Sequence, residues 1–369
     1  MIRATVFFLL YYLVRYHNPK NYVISRPLTE YSSARYAMQP ALIDPYGRHI
    51  TYLRLSVTDR CNLRCTYCMG ESIRFLPKSK LLTLEEIVRV VQICAQLGIR
   101  KVRITGGEPF MRNEILAILC ALRSVEGINE VHITTNGVRI TEYIRALEEL
   151  GIASVNLSLD TFGAEQFATL TRRPVFGTVM QAFEALLASS IPLNVNAVLT
   201  HHHTADDIYA MCEQTRDNPL CLRFIEEMPF NGNIRESPAA PYWTHTKILS
   251  TMRDRYPQLQ ELGRSHHAAT AELYKVPVYQ GTLGIIAGFS RTFCHACNRL
   301  RITAQGMLKT CLYDSGAVNL RMLLRSGASD SDISSALISA VRQRFRNGFE
   351  AEQASQRASG FETMSTIGG

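Results

Sequence analysis

Short runs rich in β-branched residues recur every 25–40 residues or so in the first two thirds of the chain, and each is followed by a loop and an amphipathic helical segment. The candidate strands are residues 52–57, 101–105, 130–134, 154–159, 193–199 and 221–226. One intervening segment opens on a capping-box pattern, Thr83 with Glu86, and closes at Gly98. Strands that alternate with helices predict a parallel sheet with right-handed crossovers. We therefore expect an α/β fold whose functional groups gather at the carboxyl ends of the strands.

Three cysteines with C-x3-C-x2-C spacing follow the first of these strands, at Cys61, Cys65 and Cys68. Thiolates this close together on a loop can hold one four-iron cluster, and three ligands leave one iron open to bind another molecule. A structural zinc site usually has four ligands in two pairs, and no fourth ligand stands nearby. A disulfide framework is typical of short secreted chains rather than of a 369-residue chain with 10 cysteines.

This cysteine motif, with Tyr67 before its last cysteine, resembles that of the radical S-adenosylmethionine (SAM) superfamily. The resemblance implies an incomplete, TIM-like (β/α)6 barrel with a [4Fe–4S] cluster whose open iron binds SAM. An electron from the cluster then splits SAM into methionine and a 5′-deoxyadenosyl radical. The SAM contacts that the resemblance implies are Tyr67, Gly106, Gly107, Glu108, Thr134, Ser158 and Met228. Taken alone, each of these residues could equally serve a turn, a helix cap or the core.

A second group of cysteines lies in the C-terminal part, at Cys294, Cys297 and Cys311. His295 could complete a zinc site, or the three thiols could hold a second [4Fe–4S] cluster whose open iron binds the substrate. Arg299 and Arg301 alternate on a strand-like run, so both side chains are expected on one face. Two guanidinium groups beside a cluster suit a phosphate-bearing substrate.

The run Cys-x2-Cys-Asn-Arg-x-Arg-x-Thr, a third cysteine after 13 residues and a terminal Ile-Gly-Gly together resemble the GTP 3′,8-cyclase family of molybdenum cofactor biosynthesis. The resemblance covers about residues 45–369. It implies GTP contacts at Arg54, Lys101, Arg103, Arg223, Arg299 and Arg301, and a tail, Gly368 and Gly369, that inserts towards the active site. One departure is Asn194, where the family commonly has Lys, so the expected pocket has one cation fewer.

The resemblance also implies the reaction. The adenosyl radical takes the ribose H3′ of GTP, the C3′ radical adds to guanine C8, and the product is 3′,8-cyclo-7,8-dihydro-GTP. The cofactors would be two [4Fe–4S] clusters and SAM, with no catalytic side chain beyond them. The expected partners are an electron donor such as a flavodoxin or ferredoxin, the downstream cyclic pyranopterin monophosphate synthase and a second copy of the chain. The alternatives are a radical SAM enzyme that modifies peptides and a nucleic-acid-binding protein with zinc-stapled loops.

Composition bears mainly on the substrate and on the ends of the chain. The net charge is +8, and residues 1–37 supply half of it, with five Lys or Arg and one acidic residue. The remainder is mildly basic and suits a small polyanion better than nucleic acid. The apolar run at residues 6–14 is too short to span a bilayer. We expect a cytoplasmic protein, although the low acidity of residues 1–37 also allows a transit peptide.

We divide the sequence into a poorly structured or wrongly assigned leader (residues 1–44), with Met38 as an alternative start, a partial barrel (45–265) and a C-terminal α+β cluster domain (266–369). The remaining cysteines are interpreted as packing residues, with Cys94 and Cys120 on helices and Cys212 and Cys221 facing the core.

Overall fold

The computed structural model describes residues 42–228, 240–356 and 364–368. The predicted leader up to residue 41 and the last residue of the predicted tail, Gly369, lie outside these ranges. No helix within the described ranges is long and apolar enough to cross a membrane.

The described strands join in one twelve-stranded sheet. They are β1 (Tyr52–Ser56), β2 (Lys101–Thr105), β3 (Glu130–Thr135), β4 (Ser154–Ser158), β5 (Leu193–Leu199), β6 (Cys221–Glu226), β7 (Gln260–Gly263), β8 (Ala271–Lys275), β9 (Thr282–Ile286), β10 (Arg299–Ile302), β11 (Met307–Lys309) and β12 (Val318–Asn319). The six strands predicted from the sequence are therefore confirmed, with ends that differ by at most one residue.

The described helices follow the same alternation. They are α1 (Leu84–Gln96), α2 (Ile115–Arg123), α3 (Ile144–Glu149), α4 (Ala164–Thr171), α5 (Phe176–Leu187), α6 (Ala205–Glu213), α7 (His245–Arg255), α8 (Leu320–Arg325), α9 (Asp330–Arg342), α10 (Gly348–Gln356) and α11 (Met364–Ile367). The predicted capping box at the start of α1 is present, because Glu86 N donates to Thr83 Oγ1 at 3.2 Å and Thr83 N donates to Glu86 Oε2 at 2.8 Å. Gly98 ends this segment with a φ of 100°.

The order of the strands in the sheet is β12-β11-β10-β1-β2-β3-β4-β5-β6-β9-β8-β7. Every pairing from β10 through β1 to β6 and on to β9 is parallel. Antiparallel strands extend the sheet at both ends. The C-terminal strands β9 and β10 thus extend the partial barrel formed by the first six on both sides, and the sheet runs without a break across residue 265. The domain division at that point stays a prediction.

The two faces of the parallel sheet differ in chemistry. Along β5, the buried positions Leu193, Val195 and Ala197 are apolar, whereas Asn194 and Asn196 between them line a cavity. In a closed barrel of this type the inward side chains form apolar layers that fill the interior. Here the inward positions are polar, so the interior of the barrel is a binding site instead of a packed core.

Candidate functional site

A cavity of about 630 Å³ occupies the interior of the barrel, and side chains from every strand between β10 and β9 reach it. Nearly all the site residues predicted from the sequence line it: Arg54, Cys61, Cys65, Tyr67, Cys68, Lys101, Arg103, Gly106, Gly107, Thr134, Ser158, Arg223, Met228, Cys294, Cys297, Arg299, Arg301 and Cys311. Both cysteine groups therefore open onto the same space. We call Cys61, Cys65 and Cys68 the first triad and Cys294, Cys297 and Cys311 the second triad.

The first triad lies on the loop that leaves the carboxyl end of β1. Its cysteines are free thiols, and Leu63 N and Asn136 Nδ2 donate to Cys61 Sγ at 3.4 and 3.6 Å. Burial raises the pKa of Cys61 to about 11 and that of Cys68 to about 12, and Cys61 and Asp160 add to the rise at Cys68. A bound metal cation reverses this effect because it stabilises thiolates directly. The triad thus fits a metal cluster far better than it fits free thiolates.

Two glycines let the loop after β2 pack against the backbone that precedes the first triad. Gly107 N donates to Thr58 O at 2.7 Å, and a Cβ at Gly107 would stand 2.4 Å from Arg60 O. A Cβ at Gly106 would stand 2.6 Å from Thr58 O. Only glycine fits such a close approach of two backbones. The pair therefore fixes the position of the cysteine loop and brings its own backbone to the cavity.

Glu108 is the one predicted SAM contact in the described ranges that the structure does not bring to the cavity. Its side chain is fully buried and accepts hydrogen bonds from Phe110 N, Thr135 Oγ1 and Asn136 N at 2.7–3.1 Å. Burial raises its pKa to about 7 in spite of these bonds. In this arrangement Glu108 ties the loop after β2 to the loop after β3.

Two hydroxyl groups at the carboxyl ends of the strands have no hydrogen-bond partner in the part of the chain that the structure describes. Thr105 Oγ1 and Thr134 Oγ1 are both buried and both belong to residues that line the cavity. A buried hydroxyl without a partner costs about 1–3 kcal/mol. Orphaned donors beside a glycine-lined backbone and three thiols fit a cluster that carries a polar ligand such as SAM.

The second triad is held at the other end of the barrel. Cys294 and Cys297 lie on the connection that runs from the carboxyl end of β9 to the amino end of β10. Because β11 is antiparallel to β10, the chain then returns to the starting end of β10, where Cys311 follows. This hairpin explains the 13-residue spacing between the last two cysteines. Asp314 Oδ2 fixes the turn by accepting hydrogen bonds from Thr310 N, Thr310 Oγ1 and Cys311 N at 2.7–2.8 Å.

The second triad differs from the first in its charge environment. Although burial raises it, the pKa of Cys297 falls to about 7 because Arg344 and Arg299 lie beside the sulfur. His295, the residue that would complete a zinc site, is exposed and does not line the cavity. Within the described ranges, no three His, Cys, Asp or Glu side chains converge on the position of a single metal ion. A four-iron cluster makes no such demand, because each thiolate binds a different iron.

Between the two triads, the strand register stacks cations side by side. Arg54 on β1 pairs with Arg103 on β2 and with Arg301 on β10. Arg54 lines the cavity, its Nε has no hydrogen-bond partner among the described residues, and burial together with Arg301 holds its pKa well below the usual range. Burial likewise lowers the pKa of Arg223 to about 10; its Nε donates to Asn196 Oδ1 at 2.9 Å, but its Nη2 has no partner within the described ranges. Desolvated guanidinium groups with unpaired donors are costly, so the site fits a polyanionic ligand that would neutralise them.

Sequence reasoning missed several polar residues that complete the cavity. Tyr52, His132, Asn156 and Asn196 all line it. The available signal was strand alternation, because Tyr52 stands two positions from Arg54, and His132 and Asn196 stand opposite the predicted cations of the neighbouring strands. Asn194 Nδ2 lies 3.3 Å from Asn156 Oδ1, so the position where the family commonly has Lys carries an amide pair in this chain.

Tyr52 gives the cavity a measurable dependence on pH. Arg103 Nε donates to its hydroxyl at 2.7 Å, and although burial raises it, the pKa of Tyr52 falls to about 7 because of Arg103 and Arg54. We expect a tyrosinate absorbance near 295 nm to appear with a midpoint near pH 7 in the ligand-free protein and to be absent in Tyr52→Phe. Since an unperturbed tyrosine has a pKa of about 10, the tyrosinate stabilises the fold above that pH, and this contribution is lost as the pH falls from about 10 to 7. A titration with no step below pH 9 would contradict this assignment.

The C-terminal tail reaches into the cavity. Ile367 packs against Tyr313 and Ala351 near the second triad, and the backbone of Ser365 hydrogen-bonds Cys68 in the first. Arg301 Nη1 donates to Gly368 O at 2.9 Å. The last described residues thus contact both ends of the site.

The remaining cysteines agree with the sequence interpretation except for one. Cys94 and Cys212 are buried in the core, and Cys120 is half-buried on α2. The prediction that Cys221 faces the core is wrong, because it is half-buried and lines the cavity. On β6 the core positions are Leu222 and Phe224, which alternate with it.

Comparison with known proteins adds two family matches. Residues 55–215 match the radical SAM superfamily, and residues 220–349 match Molybdenum Cofactor Synthesis C. The chain is 38% identical over 306 residues to the mitochondrial GTP 3′,8-cyclase of Arabidopsis thaliana, covering 82% of this chain and 77% of that protein. It is 37% identical over 300 residues to the GTP 3′,8-cyclase of Pelotomaculum thermopropionicum, covering 81% of this chain and 92% of that protein.

Other relatives are longer than this chain. Molybdenum cofactor biosynthesis protein 1 of Bos taurus is 37% identical over 326 residues, which cover 88% of this chain and 51% of that protein. The chain thus spans about half the length of several curated relatives that it matches. Among solved structures, SuiB of Streptococcus suis bound to its precursor peptide SuiA has a TM-score of 0.57 at 14% identity, covering 87% of this chain and 77% of that chain. At this identity the likeness concerns the fold alone.

Proposed function

The chain belongs to the GTP 3′,8-cyclase family within the radical SAM superfamily, and on that premise we propose that it converts GTP to 3′,8-cyclo-7,8-dihydro-GTP. This reaction would be the first step of molybdenum cofactor biosynthesis. The observation that carries the proposal is the shared cavity, in which two cysteine triads flank a stack of cations.

The first triad would hold a [4Fe–4S] cluster, with SAM on its open iron. Bound there, cluster and SAM supply one-electron reduction and a radical that abstracts hydrogen. The chain's own part is placement. The Gly106–Gly107 backbone and the orphaned hydroxyls of Thr105 and Thr134 would bind the polar groups of SAM, while Met228 and Ser158 line the same end of the cavity.

GTP would lie between the triads. Arg54, Arg103 and Arg301 stand at one level of the barrel and would bind the triphosphate with their guanidinium groups. The second triad would hold a second [4Fe–4S] cluster that anchors the guanine. With the base fixed at one end and the phosphates at mid-barrel, the ribose is left to face the SAM end, where the hydrogen is removed. Rigid placement of this kind contributes most of what a protein adds to cofactor chemistry.

Several finer assignments belong to the same proposal. An electron donor such as a flavodoxin or ferredoxin would reduce the clusters, and cyclic pyranopterin monophosphate synthase would take the product. We further propose a cytoplasmic homodimer that binds no nucleic acid.

The proposal is tested by the metal content and the products of anaerobically reconstituted protein. We expect about eight irons per chain, as two four-iron clusters require, and 5′-deoxyadenosine formed together with cyclised GTP. The triple variant C61S/C65S/C68S should keep about four irons and form no 5′-deoxyadenosine. The triple variant C294S/C297S/C311S should also keep about four irons and cleave SAM without cyclising GTP. Deoxyadenosine with unchanged GTP in the wild type would redirect the search to another substrate, and zinc in place of iron would end the proposal.

A further inference from the structure

A buried arginine outside the predicted site contacts the second triad directly. Arg344 follows α9 and is 4% exposed. Its Nη2 donates to Cys297 Sγ at 3.1 Å and its Nη1 donates to Cys297 O at 2.8 Å. Its Nε donates to Thr310 O at 3.0 Å, next to Cys311. One guanidinium group therefore joins the two stretches of chain that carry the last two cysteines of the triad.

The guanidinium group of Arg344 also contacts the segment that precedes β1. Asp44 has a completely buried carboxylate, whose Oδ2 lies 3.3 Å from Arg344 Nη1 and also pairs with Arg48. Arg48 in turn donates to Cys294 O at 2.9 Å, and to the carbonyl oxygens of Phe345 and Arg346 at 2.7–2.8 Å. Asp44 thus orients two arginines, of which Arg48 bonds only to oxygen and Arg344 also to sulfur.

We propose that Arg344 is a positioning residue that sets the reduction potential of the cluster at the second triad through its hydrogen bond to the Cys297 sulfur. The inference rests on the proposed function in one respect, namely that the second triad holds a [4Fe–4S] cluster.

One-electron reduction would place a further negative charge on a cluster that three thiolates already make anionic. An N–H donor on a ligand sulfur stabilises the reduced state, and hydrogen bonds to sulfur are among the features that set cluster potentials. Burial strengthens this hydrogen bond. The planar guanidinium reaches the sulfur and two carbonyl groups at once, which the single ammonium of a lysine does not.

The test uses full-length protein in the C61S/C65S/C68S background, so that the second triad holds the single cluster. Its midpoint potential is measured by titration with dithionite and mediator dyes, followed by electron paramagnetic resonance. We expect R344Q to lower the reduction equilibrium constant about tenfold, a shift of about 59 mV to more negative potential. A potential equal to that of the parent would overturn the proposal.

Arg48 provides the matched control, because R48Q removes the other partner of Asp44 and leaves the sulfur contact in place. We expect R48Q to shift the midpoint potential by less than half as much as R344Q. Equal shifts would show that the loss of a nearby positive charge, and not the hydrogen bond to sulfur, changes the potential. R344K, which keeps the charge, should fall between the parent and R344Q. If R344Q loses its iron, the midpoint potential of R344K is measured instead. A potential equal to that of the parent in R344K would then refute the role of the hydrogen bond to sulfur.

Failure of the proposed function looks different. If the parent protein binds no iron at the second triad, the second cluster itself is absent. If it binds about four irons but the potentials of the variants differ from those expected, the proposed function is retained and the proposed role of Arg344 is rejected.

Discussion

Arg301→Ala is expected to suppress GTP cyclisation while SAM cleavage in the absence of GTP survives. Arg301 is half-buried in the cavity wall, stands opposite Arg54 in the strand register, and has its pKa lowered by burial and by Arg299. A ligand phosphate at this point would form a desolvated charge pair, and truncating one partner of such a pair costs about 2–5 kcal/mol. We therefore expect kcat/KM for GTP to fall at least about 30-fold, measured by product analysis. Arg301 is not among the proposed SAM contacts, so 5′-deoxyadenosine formation without GTP should stay within about threefold of the wild type.

Two controls make this result specific. Arg301→Lys keeps the charge and loses the guanidinium fork, so it should retain part of the activity. Arg145→Ala changes a side chain on α3 that is 89% exposed and should have no effect. If Arg301→Ala reduces both reactions equally, the residue acts on the barrel as a whole and the phosphate site has to be placed elsewhere.

Gly368→Ala should reproduce the effect of removing the tail. Gly368 has a φ of 88°, and a Cβ there would stand 2.7 Å from Thr105 Oγ1 and 2.8 Å from Ser56 Cβ. The added methyl group must therefore push the tail out of the barrel and break the bond between Arg301 and the Gly368 carbonyl. Displacing a positioning element by about 1 Å can cost about 100-fold in rate. We expect a loss of this order in GTP cyclisation, both in G368A and after deletion of Gly368 and Gly369, with about eight irons retained.

Gly327→Ala is the control for Gly368→Ala, because it separates the steric clash of the added methyl group from the backbone strain of an alanine at positive φ. Gly327 has a φ of 83°, and a Cβ there would meet no atom within 4 Å. The variant therefore carries the same backbone penalty without a clash and should keep wild-type turnover. Wild-type turnover in G368A would show that the tail plays no part in the reaction. R301A combined with the deletion should raise the activation free energy of GTP cyclisation by less than the sum of the two single effects, because each change removes one end of the same hydrogen bond.

The fold was largely predictable because its first six strands are short runs with apolar residues on one face, and each is followed by a helical segment. Thr83 and Glu86 mark the start of α1 in the sequence as clearly as they do in the structure. The strands that extend the partial barrel were harder to find. β9 and β10 are short, and what makes them barrel strands is parallel pairing with β6 and β1, far away in the chain. Pairing partners at that distance leave no local pattern in the sequence.

The site was predictable where chemistry fixes the spacing and less so where the backbone decides which way a side chain faces. Cysteine spacing located both triads, and alternation placed Arg299 and Arg301 on one face. Glu108 lies in the expected motif, yet its carboxylate joins the loop after β2 to the loop after β3 through hydrogen bonds. Arg344 is 33 residues beyond Cys311 and contacts the second triad only because of the tertiary fold.

The position of β1 between β2 and β10 has a consequence for the making of the protein. Asn298, just before β10, donates to Thr51, just before β1, across 247 positions of chain. As a ribosome delivers the chain, one edge of β1 stays unpaired until about four fifths of the chain has emerged, because β10 begins only at Arg299. A nascent chain that ends at residue 265 also lacks the strand that covers β6. The cavity is therefore assembled late, and during most of synthesis the loop that carries the first triad follows a strand with an open edge.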